Sequence, residues 1–151
     1  MPSYTSGAIG QVTATDMWTL DSQTAGVFGK VISIAWGGQQ TTSTGLRTRW
    51  NRPTTIGSST FTALTNAYHQ PNYVTVGSRV GTFATNPLMA TADPGGNLFA
   101  VSWNSQGGLG LLIHPLANPW WIVNGVLTGQ ISCRGVTGTD ATSSFEVTVE
   151  E

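Results

Sequence analysis

Charge is what this 151-residue chain lacks most. Only 9% of its residues are Asp, Glu, Lys or Arg, against about 25% in an average globular domain. Lys30 is its one lysine. So little charge argues against helices, whose exposed faces normally carry Glu, Lys and Arg. It argues equally against a disordered chain, which couples low hydrophobicity to high net charge. Net charge is −1 and there is no basic run, so a nucleic-acid partner is not expected, because phosphate neutralisation needs clustered cations. The single cysteine, Cys133, excludes an internal disulfide. Its setting, QISCRG, reads as that of a small buried hydrophobe. His69 and His114 are the two histidines. Neither falls in zinc-ligand spacing, so no metal and no cofactor is expected. No apolar run approaches the ~18 residues of a membrane span. The opening MPSYTSGAIG has no basic residue and no apolar core, so it does not read as a signal peptide. No Asn-x-Ser/Thr acceptor occurs. These absences lead us to expect a protein assembled in a cytoplasm and not secreted through a signal peptide.

What is present points to strands. Hydrophobic residues make up 39% of the chain and 19 residues are glycine. Thr, Ser and Gly dominate the polar positions, which suits strands and tight turns. Alternation of period two recurs. Residues 31–36 read VISIAW and place Ile32, Ile34 and Trp36 on one face. Residues 46–50 read LRTRW, with Leu46, Thr48 and Trp50 on one face and Arg47 and Arg49 on the other. Residues 98–103 read LFAVSW, and the tail 144–150 reads SFEVTVE, with Phe145, Val147 and Val149 inward. Gly- and Pro-bearing turns separate these runs, and Asn124-Gly125 carries the strongest hairpin signal. The best helical candidate is 59–68, where Phe61, Leu64 and Tyr68 are suitably spaced, although its threonines suit a strand or a single turn as well. The expected fold is an all-β, single-domain antiparallel β-sandwich, jelly-roll-like, with about eight to ten short strands. Residues 1–10 are expected to be a flexible N-terminal arm preceding a domain over 11–151.

Catalytic patterns do not emerge. Asp16, Asp21, Asp93 and Asp140 are scattered, and no Gly-x-Ser-x-Gly elbow, calcium loop or phosphate-binding loop occurs. No catalytic residue is therefore assigned, and the chain is not expected to be an enzyme. Trp120 and Trp121 are adjacent, so a strand would point one of them outward, as a subunit contact or a sugar-stacking platform. Arg47, Arg49 and Arg52 form the single cationic cluster, suited either to a solvated face or to an acidic partner surface. Glu150 and Glu151 at the tail could supply such a partner between subunits.

With MPSYTSGAIG, VISIAW, LRTRWNRP, FEVTVEE, high Thr and Gly and almost no Lys, the chain resembles the capsid decoration (cement) and accessory virion proteins of tailed bacteriophages. That resemblance implies a β-rich, often jelly-roll, fold and a homo-oligomer, with a trimer favoured. It also implies a partner in the major capsid protein lattice, and a place on the capsid surface of the virion. No catalytic residue carries over. The candidate contact residues are Trp120, Trp121, Arg47, Arg49 and Arg52, together with the arm. The alternative expectation is a carbohydrate-binding, lectin-like sandwich that stacks an exposed Trp on a sugar ring.

Overall fold

Strand alternation governs the architecture in a computed structural model, which describes residues 3–12, 16–22, 28–52, 60–70, 77–83, 97–112, 120–123, 130–137 and 142–151. Twelve strands and no helix occur among them. They are β1 (Ser3–Val12), β2 (Asp16–Ser22), β3 (Phe28–Gly38), β4 (Gly45–Asn51), β5 (Phe61–Ala63), β6 (Ala67–Tyr68), β7 (Ser78–Phe83), β8 (Asn97–Asn104), β9 (Gly108–Leu112), β10 (Trp120–Val123), β11 (Ile131–Thr137) and β12 (Thr142–Glu150). The expected all-β antiparallel sandwich is the observed fold.

The strands form two six-stranded sheets. In sheet A the order is β10-β3-β12-β1-β6, with β9 sharing the outer edge of β3 with β10. In sheet B it is β5-β7-β2-β11-β4-β8. All pairings are antiparallel. The halves of the chain pair in reverse order: β1 with β12, β2 with β11, β3 with β10 and β9, and β4 with β8.

The inward faces meet in an aromatic core. Trp50 of sheet B stacks on Trp36 of sheet A with ring centroids 5.1 Å apart. Trp18 lies edge-on to Trp50 at 5.5 Å and reaches Phe145 of the opposite sheet at 6.3 Å. Leu46, Thr48 and Trp50 are all buried, as are Phe145, Val147 and Val149, so the alternation read in those two runs is the alternation observed. Cys133 is buried between Trp18 and Trp50 in the strand register.

One end of the sandwich is laced by its turns. Ser105 donates its hydroxyl to the Thr42 carbonyl (2.9 Å) and accepts from the Thr44 amide (2.8 Å). This joins the β3–β4 crossing to the neighbouring β8–β9 crossing. The Gly38 amide donates to the Gly107 carbonyl. A Cβ on Gly38 would collide with the Ser105 carbonyl, so close approach requires glycine there.

Three expectations change. Residues 1–10 were expected to form a flexible arm, but Ser3–Val12 is β1, hydrogen-bonded between β12 and β6. Its inward positions include Tyr4 and Ser6, both buried. Ser6 hides the alternation: it is polar yet buried, its hydroxyl 2.5 Å from Asn66 Oδ1, a partner distant in sequence. The helical candidate 59–68 contains the two short strands β5 and β6 instead. Ile32 does not share the core face with Ile34: a bulge between Thr148 and Val149 puts Val31 in the buried place. The turn at Asn124-Gly125 lies outside the described residues.

Candidate docking face

Because β4 turns Leu46, Thr48 and Trp50 inward, Arg47 and Arg49 face outward from sheet B. The neighbouring strands decide their surroundings. On one side β8 sets Ser102 opposite Arg47 and Ala100 opposite Arg49, short side chains that leave the guanidinium groups room. On the other side β11 sets Arg134 directly opposite Arg49. Cys133 points into the core, so Arg134 points out with the other two. The result is a row of three arginines over two adjacent strands. Arg47 is exposed, and Arg49 and Arg134 are half-buried. The Arg49 Nε is buried and has no hydrogen-bond partner among the described residues.

Further along the same face the character changes. Asn51, Ser132 and Thr19 form a buried polar row across β4, β11 and β2. The Thr19 and Ser132 hydroxyls are 2.7 Å apart. Beyond them Arg79 is neutralised by Asp21, Nη2 to Oδ2 being 2.9 Å. The Phe61 ring covers that guanidinium at 3.9 Å. All five arginines of the chain therefore lie on sheet B or, for Arg52, directly after the end of β4. Arg52 is half-buried, and burial lowers its pKa from the ordinary arginine value.

The structure thus brings together Arg47 and Arg49 and adds Arg134, which no sequence motif marks. Arg134 stands alone in the sequence, and only the β4–β11 register reveals it. Arg52 sits past the strand end. Trp120 and Trp121 are not brought to this face. They lie in β10 at the edge of sheet A, opposite Val31 and Lys30, and their side chains lie outside the described residues. His114 also lies outside them. The tail glutamates, considered as intersubunit partners, are engaged within the chain. Glu150 pairs with Lys30 at 3.3 Å, and the Glu151 carboxylate accepts from the Gly77 and Ser78 amides at 3.1 and 2.5 Å.

Other polar groups build local structure. The His69 ring bridges Ser3 Oγ (3.1 Å) and Thr5 Oγ1 (2.8 Å), tying the end of sheet A together. The buried Tyr4 hydroxyl meets Ser78 Oγ across the sandwich at 2.8 Å. Burial pushes the Tyr4 phenol well above the ordinary tyrosine value, against the lowering effect of Ser78. No group of three or more His, Cys, Asp or Glu that could hold a metal ion occurs among the described residues. No helix there is long and apolar enough to cross a membrane. Comparison with protein-family models, curated proteins and solved structures finds no match to this chain.

Proposed function

We propose that this chain is a non-enzymatic structural protein of the virion. On this reading it binds and stabilises a bacteriophage capsid as a decoration or cement protein, as a homo-oligomer with a trimer favoured. The observation that carries the reading is the outward arginine row of Arg47, Arg49 and Arg134, which suits an acidic protein surface. Arg presents a planar fork matched to carboxylates. The reverse-order pairing of the two chain halves supports reading the sandwich as a jelly roll, an architecture common among capsid domains.

The energetics also suit assembly. One exposed ion pair contributes about 0.2–1 kcal/mol, too little for docking by a single contact. Several arginines per copy, and several copies per oligomer, multiply weak contacts into stable attachment. The low overall charge leaves little repulsion between copies.

The test is co-sedimentation of the purified chain with intact capsids of the phage whose genome encodes it. Wild type is expected to pellet with the particles and to be released as salt rises. Arg47→Ala/Arg49→Ala is expected to stay in the supernatant. Absence of pelleting by wild type, or undiminished pelleting of the double variant, overturns the reading.

A further inference from the structure

One edge of the sandwich lacks the protection found at the others. Residues 94–133 contain no Asp, Glu, Lys or Arg, and they supply β8, β9 and β10. Edge strands escape pairing with other chains by being short, or by carrying charge or proline. At the far ends of the two sheets, β5 has three residues and β6 has two. By contrast β8 has eight, reads NLFAVSWN, and pairs with β4 alone among the described residues. The core also opens along it. On β4, Leu46, Thr48 and Trp50 are buried. Of their partners on β8, Trp103 is buried, but Val101 and Phe99 are only half-buried. The Trp36–Trp50 stack sets β3 over β4, so β9, outside β3, lies on the same side of the sandwich as β8.

We propose that β8 pairs antiparallel with β8 of a second copy across a two-fold axis, joining the two B sheets into one. The strand complements itself. With Val101 on the axis, Val101 faces its own copy and Phe99 faces Trp103 on the inner side. On the outer side the small Ala100 and Ser102 face each other. The aromatic cross-strand pairs then close the half-open core of both copies, and no charge on either β8 opposes the approach. The area is sufficient. The eight residues of β8 make a wall about 27 Å long, and two sheets spaced about 10 Å apart make it about 20 Å tall. Two copies thus cover about 1,100 Å², above the ~1,000 Å² that a specific interface needs. A strand meeting its own copy makes an isologous contact, which joins protomers in pairs. The contact uses none of the arginine row and needs no capsid.

Sedimentation velocity of the full chain over a range of concentrations tests it. Wild type is expected to form an even-numbered assembly. Val101→Lys places two ammonium groups directly opposite each other at the axis, and is expected to halve the mass at the same concentration. Far-UV circular dichroism verifies that the variant is folded. Disulfide trapping supplies a second measurement that does not depend on that variant. Opposed Cα atoms of an antiparallel pair lie about 4.5–5.5 Å apart, within reach of a disulfide. Ser102 and its copy lie diagonally, about 7–8 Å apart, beyond that reach. Under mild oxidation Val101→Cys is therefore expected to yield covalent dimer about tenfold faster than Ser102→Cys, although Ser102 is the more exposed. The native Cys133 is buried and is expected to form no cross-link. A wild-type monomer or trimer, an unchanged mass for folded Val101→Lys, or Ser102→Cys cross-linking as fast as Val101→Cys overturns the proposal. A wild-type trimer that pellets with capsids defeats only this contact, and a dimer that binds no capsid defeats only the capsid reading.

Discussion

Replacing Trp50 by alanine removes the ring on which the two sheets meet. Trp50 is fully buried, stacks on Trp36 at 5.1 Å, meets Trp18 edge-on at 5.5 Å and lies 5.3 Å from Phe99. Truncating a buried aromatic to alanine costs about 3–5 kcal/mol. Each aromatic pair adds about 0.5–1.5 kcal/mol beyond area burial, which places Trp50 at the upper end of that range. A domain is held by about 5–15 kcal/mol in total, so Trp50→Ala is expected to remove a third or more of the stability. Trp50→Phe keeps part of the stacking and is expected to cost about 1–2 kcal/mol. The assay is urea unfolding followed by far-UV circular dichroism. With a slope of about 2 kcal/mol/M, the alanine variant's midpoint is expected to fall by about 1.5–2.5 M. The phenylalanine variant is expected to fall by less than half of that. A drop under about 0.5 M for Trp50→Ala, at unchanged slope, would refute the placement of this ring at the centre of the core.

Thr48 occupies an inward position between Leu46 and Trp50, and its buried hydroxyl has no hydrogen-bond partner among the described residues. Thr48→Val keeps the shape, removes the polar atom and is expected to stabilise by about 1 kcal/mol in the same urea assay. Asp21→Ala leaves the Arg79 guanidinium without its carboxylate. Arg79 is 27% exposed, so the expected loss is about 2–3 kcal/mol, below the range for a fully buried pair. Tyr4 is held neutral by burial in the folded chain, whereas an unfolded tyrosine ionises near pH 10. Its contribution is intact below about pH 10 and is lost as the pH rises past that value. The thermal midpoint of wild type is expected to fall more steeply there than that of Tyr4→Phe. Cys133 is fully buried, so a thiol reagent is expected to label it only at the rate of unfolding, and prompt labelling of the native chain would contradict the register of β11.

The alternating runs were the most legible part of the fold. Residues 46–50 and 144–150 have an apolar residue, or threonine, at every inward position, so period two survives in the sequence. β1 was illegible because Ser6 and Gly7 break its contrast. Ser6 is buried beside Asn66, a partner 60 residues away. The bulge that exchanges Val31 for Ile32 was hidden for a related reason: both residues are apolar and β-branched, so either fits the core. Of the docking face, Arg47 and Arg49 were visible as a pair on one side of a strand. Arg134 was not, since its nearness to Arg49, 85 residues away in the chain, comes from the pairing of β4 with β11, which depends on tertiary register. The engagement of Glu150 by Lys30 and of Glu151 by backbone amides likewise depends on contacts distant in sequence.

Cryo-electron microscopy of capsids incubated with the chain tests the central claim most directly. The account predicts ordered density for a two-sheet sandwich at capsid subunit junctions, with Arg47, Arg49 and Arg134 turned toward acidic side chains. Particles bare of such density under saturating chain, or a bound sandwich whose arginine row meets no acidic side chain, would contradict it.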